Sequence, residues 1–507
     1  MLRPRALFGI ALLVFASLVF FWAALHSETF NPIPVHQVEE LPRVSPDLSL
    51  SPPPSRGKEA RLHLLIVATS SGLDLCRLLF STTVLSYPPP VLIDWAGEGA
   101  FNATETHLAK IAGSLRYLEN LAPSQDTDLV LVLDGFDVIF QLGPDVLLKR
   151  YFQEIAASNA ELAKRFGSQH VREYNIYNSI LFGPDKLCWP IDYSRPACWA
   201  VPPSPLHPDA FGPYTDKIMG DMPHARPRWL NSGTILGPVN DVRTMLRATQ
   251  ERINEKYDPA YELRNSDQMY LADLWGDQEF ARVLSLGHFK EFHKSDWKPD
   301  WAEEISIPAL EQGKRTEYHI GLDHRSALFQ TMAGYRSYMA WIATNRLPLH
   351  SSQISVEPYR IDLPQDVLHA RPPFASITND SALSSKSWRD VRLGFNTVTG
   401  STFPILHFTG DKTFRGRWWS RMWYFEHADR LRRAEAERKN DAIGTIDEVN
   451  WLKARPYESG KGDRKGEEAW SDSGQKFGWD ELCGAHEEVL YSEYVEPPPE
   501  PESEPER

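Results

Sequence analysis

Apolar residues after position 60 follow the periods of alternating strands and helices. RLHLLIVATS at 61–70 is a short apolar run typical of a buried strand, and DLCRLLFSTTVLS at 74–86 has helical spacing. PVLIDWAG predicts a second strand that ends at Asp94, THLAKIAGSLRYLENL a second helix, and DLVLVLDG a third strand. Strand, helix, strand, helix, strand predicts an α/β fold with a mainly parallel central sheet.

The pattern is less regular beyond residue 141, where Pro-rich loops separate short elements. RWLNSGTILG and PILHFTG predict two further strands, and RGRWWSRMWYFEH predicts a helix that packs on the domain. We therefore predict one folded domain over residues 61–440. The remainder, 441–507, is charged and weakly periodic, and is predicted to be a largely disordered tail.

The amino terminus predicts a membrane anchor. Twenty uncharged, mostly apolar residues, 6–25, follow Arg3 and Arg5 and are enough to cross a bilayer as a helix. A cleaved signal peptide is the alternative, but the run exceeds a usual signal core and no clear small-x-small site follows it. The two arginines place residues 1–5 in the cytoplasm and the rest in the lumen. We expect a single-pass type II protein of the Golgi or endoplasmic reticulum, with a Pro- and Ser-rich stem at 26–60.

The net charge of −14 comes mostly from the carboxyl end, because residues 480–507 hold ten acids and one arginine. The rest of the chain is nearly balanced. A nucleic-acid partner is therefore not expected, since it would require a basic face.

Cysteines and sequons agree with a lumenal address. Cys188 and Cys198 are ten residues apart in a loop-like stretch, where an oxidising compartment favours a disulfide. Cys76 and Cys483 are far apart and are predicted to be unpaired. Asn102 begins one glycosylation sequon, and a second lies at 379–381. The chain has no C-x-x-C or H-E-x-x-H motif, so a zinc site is not expected.

Two carboxylates, Asp134 and Asp137, stand in the apolar run LVLVLDGFDVIF. At the end of a strand, acids three residues apart can converge on one divalent cation. The alternative is that Asp134 only begins a turn before Gly135 and that Asp137 is exposed. Ligands of parallel α/β sheets bind outside the carboxyl ends of the strands, which favours the metal site.

DGFDVIF resembles the D-x-x-D metal motif in the glycosyltransferase domain of the procollagen-lysine hydroxylases. Other stretches are similar to motifs of that domain and occur in the same order over roughly residues 61–425: SILFGPDKLCWP, WLNSGTILG, NSDQMYL, GLDHRSALFQTM and HFTGDK. The resemblance implies a GT-A-like fold and a metal-dependent enzyme that uses a nucleotide sugar.

The same resemblance implies the metal ligands Asp134, Asp137 and His407, an oxygen-rich set that suits Mn²⁺ or Mg²⁺. Lys412 and the backbone of Gly410 are then expected at the phosphates of a UDP-sugar.

The remaining candidate residues are assigned by position. Lys110 is predicted near the nucleotide, with a solvated helix face as the alternative, and Thr69 and Ser70 are predicted at the base and ribose. The sugar and acceptor side is predicted from these three: Asn231, Asp267 and Gln268. Asp267 is a candidate to orient or deprotonate an acceptor hydroxyl, although it also lies at a helix start and the family has two consecutive acids there.

The predicted function is transfer of a hexose from a UDP-sugar to a hydroxyl of a protein or glycan acceptor. The alternative is a non-catalytic glycan- or nucleotide-binding protein that retains the fold. A glycoside hydrolase is disfavoured, because acids three residues apart on one turn are too close to flank a glycosidic bond. An oxygenase domain is also disfavoured, since only about 80 mostly polar residues follow the H-x-D sequence at 427–429.

Overall fold

The computed structural model describes residues 59–97, 107–218, 220–287, 307–344, 363–438, 440–457 and 469–492. The strands are β1 (Glu59–Val67), β2 (Val91–Ile93), β3 (Leu129–Asp134), β4 (Val138–Phe140), β5 (Ile180–Asp185), β6 (Trp229–Pro238), β7 (Ile320–Leu322), β8 (Phe329–Thr331), β9 (Met339–Ile342), β10 (Leu393–Asn396), β11 (Ile405–His407), β12 (Ala442–Ile446), β13 (Val449–Lys453), β14 (Ala469–Ser471) and β15 (Lys476–Phe477). The α-helices are α1 (Leu73–Val84), α2 (Ala109–Glu119), α3 (Pro144–Phe166), α4 (Ser168–Glu173), α5 (Pro196–Trp199), α6 (Val239–Lys256), α7 (Asp267–Leu284), α8 (Gln365–Leu368), α9 (Ser381–Ser384), α10 (Arg415–Trp419), α11 (Ala428–Ala436), α12 (Trp479–Cys483) and α13 (Glu487–Tyr491).

The predicted succession β1–α1–β2–α2–β3 is present, and the α/β fold class is confirmed. The main sheet has the path β15-β14-β2-β1-β3-β6-β5-β7, with β12 and β13 attached beside β1. Strands β2, β3 and β13 all run parallel to β1, and β14 runs parallel to β2. The sheet is nevertheless mixed, because β6 is antiparallel to both β3 and β5.

Side chains alternate between two apolar layers, as expected for strands covered on both faces. Leu64 and Ile66 of β1 pack with α1 and α3, whereas Leu65 packs with α2, α6 and α7. Both faces of β3 are covered by other elements, because the first five residues of this strand are all buried. This double cover leaves the strand ends as the places where polar side chains can meet.

A second, three-stranded sheet extends the carboxyl edge of the main one. Its order is β4-β11-β8, with β11 antiparallel to β4 and parallel to β8. The predicted strand PILHFTG is thus β11, a member of this smaller sheet. It brings a segment more than 260 residues later in the chain beside the turn that follows β3.

The prediction of a disordered tail from residue 441 is wrong for the described part of that segment. β13 pairs with the first half of β1, and β14 pairs with β2. Trp451 is 1% exposed in the main core. The folded domain therefore includes residues 440–457 and 469–492, because its sheet needs these strands to cover the edge of β1 and β2.

The two remaining cysteines are paired, which corrects the prediction that they are free. Cys76 in α1 forms a disulfide with Cys483 in α12, and both side chains are fully buried. Ser71 donates a hydrogen bond to the carbonyl of Leu482 beside this bond. Sequence separation gave no hint of the pairing, because only the docking of the carboxyl-terminal helices brings the two thiols together.

Among the described helices, none is both long enough and apolar enough to cross a bilayer. The predicted span at 6–25 and the sequon at Asn102 lie outside the described residues. The second sequon begins at Asn379, whose side chain is exposed.

Candidate metal centre

Asp134 and Asp137 lie on the turn that joins the main sheet to the smaller one. β3 ends at Asp134, whose register partner on β1 is Val67, the last residue of that strand. The next residue must be a glycine, Gly135, because the backbone comes very close to β1 here. A Cβ at this position would lie 2.3 Å from the carbonyl oxygen of Val67. The chain then turns, so that Asp137 stands directly before β4 and both carboxylates reach the same space.

His407 comes to this turn from the far end of the domain. It is the last residue of β11 and pairs with Val138, the first residue of β4. The backbone N–H of Phe408 donates to the carbonyl of Asp137 over 2.8 Å. Sheet pairing therefore fixes the imidazole beside the carboxylates.

The three side chains form a compact donor set. His407 Nε2 lies 3.3 Å from Asp137 Oδ1 and 3.9 Å from Asp134 Oδ2. One ligand atom from each residue lies within 4.8 Å of the others. Gly233 of β6 provides the space for these side chains, since a Cβ there would be 2.1 Å from His407 Cε1 and 2.8 Å from Asp134 Oδ2. Burial differs among the ligands: His407 and Asp137 are buried, whereas the Asp134 side chain is 36% exposed, which leaves one open side.

The charges around this set favour an ionised Asp137 beside a positively charged group. Burial alone would raise the pKa of Asp137, but His407 and Lys412 outweigh it and hold that pKa well below its usual range. Burial alone would lower the pKa of His407, and Asp137 and Asp134 raise it instead. The two carboxylates thus favour the protonated, positively charged form of the imidazole. A bound metal ion would supply that positive charge in place of the proton.

The donor set fits a hard divalent ion. Asp137 Oδ1 is buried without a hydrogen-bond donor, and so is His407 Nδ1 on the other side of the ring. Two carboxylates and one imidazole, with one side open to solvent, suit Mn²⁺ or Mg²⁺ with further oxygen ligands from a substrate. Among the described residues this trio is the only His, Cys, Asp and Glu group with such geometry.

Lys412 lies at the mouth of the centre, as its predicted role requires. Its Nζ is 2.6 Å from Asp137 Oδ2, and the side chain is 47% exposed. Gly410 precedes it with a left-handed φ of 73°, a conformation that other residues rarely adopt. A flexible ammonium at an exposed mouth can leave the carboxylate and meet a phosphate group.

Lys110 is buried beside Asp134, one of the candidate metal ligands. It is 3% exposed, and its Nζ lies 2.8 Å from each of three oxygens, namely Asp134 Oδ1, Asp267 Oδ2 and the carbonyl of Ser232. Two of these contacts are hydrogen bonds, to Asp134 and to the carbonyl of Ser232, and the third is an ion pair with Asp267. The alternative of a solvated helix face is therefore wrong, and Lys110 neutralises carboxylates beneath the candidate metal centre. Its proximity to a nucleotide stays a prediction.

Asp267 is tied to the same lysine. Burial alone would raise the pKa of this carboxyl, but Lys110 lowers it. The side chain begins α7, where the helix dipole also favours a negative charge. A carboxylate stabilised in this way accepts a proton poorly, so its predicted role as a base is not supported by its surroundings.

Asn231 and Gln268 meet around a third carboxylate, Asp185, which sequence reasoning missed. Asp185 Oδ2 accepts from Asn231 Nδ2 at 3.0 Å and from Gln268 Nε2 at 3.4 Å. Asp185 Oδ1 is buried without a hydrogen-bond partner. Burial raises the pKa of Asp185, and the charge of His407 opposes this increase. The available signal was an acid that closes the apolar run SILFGP, just as Asp134 closes LVLVL.

Thr69 and Ser70 lie in the loop after β1, beside the metal turn in the sheet. Thr69 accepts a hydrogen bond from the backbone of Ala96 through its carbonyl, and the Ser70 side chain is exposed. Their position at the carboxyl end of β1 agrees with the predicted place for a nucleotide.

Other motifs of the resemblance have structural roles. Asp323 accepts three backbone N–H groups, from Ala327, Leu328 and Phe329, and so closes the turn before β8. Trp418 is 6% exposed and packs against Trp341, which leaves no free face for a sugar. The predicted disulfide between Cys188 and Cys198 is present.

No protein-family model matches the chain, and no curated protein sequence matches it at a significant level. The resemblance to the glycosyltransferase domain of the procollagen-lysine hydroxylases therefore stays a prediction.

Proposed function

We propose that the chain is a metal-dependent glycosyltransferase that moves a hexose from a UDP-sugar to a hydroxyl of a protein or glycan in the secretory pathway. The observation that carries the proposal is the convergence of Asp134 at the carboxyl end of β3, Asp137 in the turn after it and His407 at the carboxyl end of β11. This edge is where α/β sheets bind their ligands.

The surroundings of the centre suit a diphosphate. A divalent ion held by the three side chains would neutralise the negative charge that develops on the departing nucleotide diphosphate. Lys412 adds a positive charge at the mouth, and Thr69 and Ser70 lie in the loop after β1, the strand that pairs with β3. Lys110 lies beneath Asp134 and fixes the position of that carboxylate through an ion pair over 2.8 Å.

A hexose is expected on the side of Asp185. Its free Oδ1 can accept a hydrogen bond from a sugar hydroxyl, while Asn231 and Gln268 hold the other oxygen in place. A polar site built for hydroxyl groups rejects analogues that lack them, because its buried groups are then left unpaired. This carboxylate is therefore the expected contact for donor or acceptor hydroxyls.

The test is release of UDP from a panel of UDP-sugars by the purified protein, with and without Mn²⁺. Asp137→Asn preserves the shape of the side chain and removes its charge, and we expect it to lower Mn²⁺-dependent turnover by on the order of a thousandfold. Asp126→Asn at the other end of β3 breaks a surface pair with Arg243 and serves as the matched control.

Binding of UDP should be measured on the same samples. Mn²⁺-dependent binding of UDP without turnover of any donor would favour the non-catalytic binding protein. Equal turnover in Asp137→Asn and the wild type would remove Asp137 from the site and contradict the proposal.

A further inference from the structure

A cavity of about 410 Å³ lies at the amino end of the main sheet, between β1, α2 and the chain after β13. The residues that line it and carry the argument are Arg61, His63, Tyr117, Gln125, Arg455 and Tyr457. Its size falls in the range of pockets that hold small organic ligands, about 300–1,000 Å³.

The cavity is separate from the metal centre. Leu62 pairs with Leu129 near the amino ends of the two strands, and Val67 pairs with Asp134 at the carboxyl ends. Five residues of strand correspond to about 17 Å. A ligand in the cavity would therefore not contact the metal ligands.

One positive charge in the wall has no partner. Arg61 is partly buried, and within the described part of the chain its guanidinium makes no hydrogen bond or ion pair. Arg455 is different, because it binds Asp441 over 2.7 Å and that pair is neutral. Lys453 points to the opposite face of the sheet, where its Nζ donates to Ser86 Oγ. The cavity therefore carries the uncompensated charge of Arg61.

Other side chains add a hydrogen-bond donor and a rigid floor to the cavity. Gln125 Oε1 accepts from the backbone of Ala122, so its Nε2 is left as a donor. His63 is held on both sides, by Tyr117 over 3.0 Å and by Asp128 over 3.3 Å. These fixed side chains preform the cavity and lower the ordering cost of binding.

Apolar and aromatic side chains form a further part of the wall. Tyr117 is buried in the floor, whereas Tyr457 is 47% exposed at the rim, where its hydroxyl donates to the carbonyl of Asp472. Leu121, Leu452, Ala454 and Pro456 also line the cavity, together with the polar residue Asn120. A ligand that matches this wall carries a flat ring as well as an acidic group.

We propose that this cavity binds a small organic anion in which one acidic group, phosphate or carboxylate, is attached to a ring. The acidic group lies against Arg61, where the planar fork of the guanidinium can donate two parallel hydrogen bonds. The ring lies between the tyrosines and the leucines. This site is additional to the proposed transferase site.

Calorimetric titration of the full-length protein with phenyl phosphate, benzoate, inorganic phosphate and phenol tests the proposal. We expect phenyl phosphate or benzoate to bind, more tightly than inorganic phosphate or phenol, and the stronger of the two anions identifies the acidic group. Arg61→Gln should weaken that binding by at least about tenfold. Arg247→Gln, which breaks an exposed pair with Glu119 nearby, should leave it unchanged.

Two further samples keep the result decisive. Leu121→Trp fills the cavity with Arg61 intact and should also abolish binding, which covers the case in which Arg61→Gln does not fold. Asp137→Asn treated with a chelator should bind as the wild type does. The proposal is overturned if neither ring-bearing anion binds, if both arginine variants lose binding equally, or if binding depends on Asp137 and not on Arg61 and Leu121.

Discussion

At the scale of single residues, the candidate centre depends on a buried lysine as much as on its three ligands. Lys110 is shared by Asp134 and Asp267, so it separates two carboxylates that would otherwise repel one another. A charged group buried in this way is stable only while its partners remain. The candidate metal ligand Asp134 is therefore positioned from one side by Lys110 and is partly exposed on the other.

Gly233→Ala tests how little space the centre has. The new methyl group would lie 2.1 Å from His407 Cε1 and would displace the imidazole or Asp134. We expect Mn²⁺ affinity, measured by calorimetric titration, to fall at least about tenfold, because a displaced ligand no longer fits the coordination geometry. Gly478→Ala is the control, since a methyl group there meets nothing within 4 Å. Unchanged affinity in Gly233→Ala would show that His407 is not a ligand.

Asp94 makes stability depend on pH. Burial and the neighbouring Asp472 raise its pKa from 3.8 to about 7, with Arg116 opposing them. The folded protein thus binds a proton that the unfolded chain has already lost, so stability falls as pH rises from about 4 to about 7 and stays low above this range.

Asp94→Asn should remove this penalty, since the amide is neutral at every pH and can donate to Asp472. We expect a higher Tm than the wild type near pH 8, by about 2–4 °C for each kcal/mol regained, and a much smaller difference near pH 4. Thermal unfolding at both values measures this. A variant that is less stable than the wild type by the same amount at both would contradict the assigned pKa.

The sequence was sufficient to predict the location of residues that stand at the end of an apolar strand. Asp134 and Asp137 end an apolar run, and this pattern alone placed them at the edge where ligands bind. The surroundings of Lys110 and Asp185 could not be read in the same way, because their partners lie many positions away in the chain and meet them only through sheet pairing. Helical spacing placed Lys110 on α2 but gave no information about which carboxylates lie opposite.

At the scale of elements, the carboxyl-terminal strands are part of the sheet. β13 covers the first half of the edge of β1, and β2 covers the second half, with β14 next to it. Without β13, the backbone groups of β1 from Glu59 to Leu62 would lose their partners on that side, and unpaired strand edges favour aggregation. Such strands are difficult to predict from hydrophobic periodicity, because two to five residues within charged segments are too few to show an alternation of apolar and polar positions.

Truncation measures the importance of these strands. A chain that ends at residue 440 should be insoluble or unfold at a much lower temperature, because it also loses Trp451 from the core. A chain that ends at residue 492 should keep the Tm of the full-length protein. Circular dichroism melts of both, expressed from residue 59, test this. A soluble 59–440 chain with an unchanged Tm would mean that the domain is stable without the carboxyl-terminal strands.

At the scale of the whole molecule, the apolar run at 6–25 predicts that the full-length protein stays in membranes after a carbonate wash. A chain that begins at residue 59, secreted through a foreign signal peptide, should be recovered in the soluble fraction. Fractionation followed by amino-terminal sequencing separates a retained anchor from a cleaved signal. Full-length protein with an intact amino terminus in the soluble lumenal fraction would disprove the anchor.

The bond between Cys76 and Cys483 has a consequence for the integrity of the molecule. It closes a covalent ring that contains nearly the whole described domain, since only short stretches precede residue 76 and follow residue 483. A single proteolytic cut anywhere in that ring opens it without releasing a fragment. Nicked molecules would therefore persist as one covalent unit in an oxidising compartment and fall into two pieces only when they reach a reducing one.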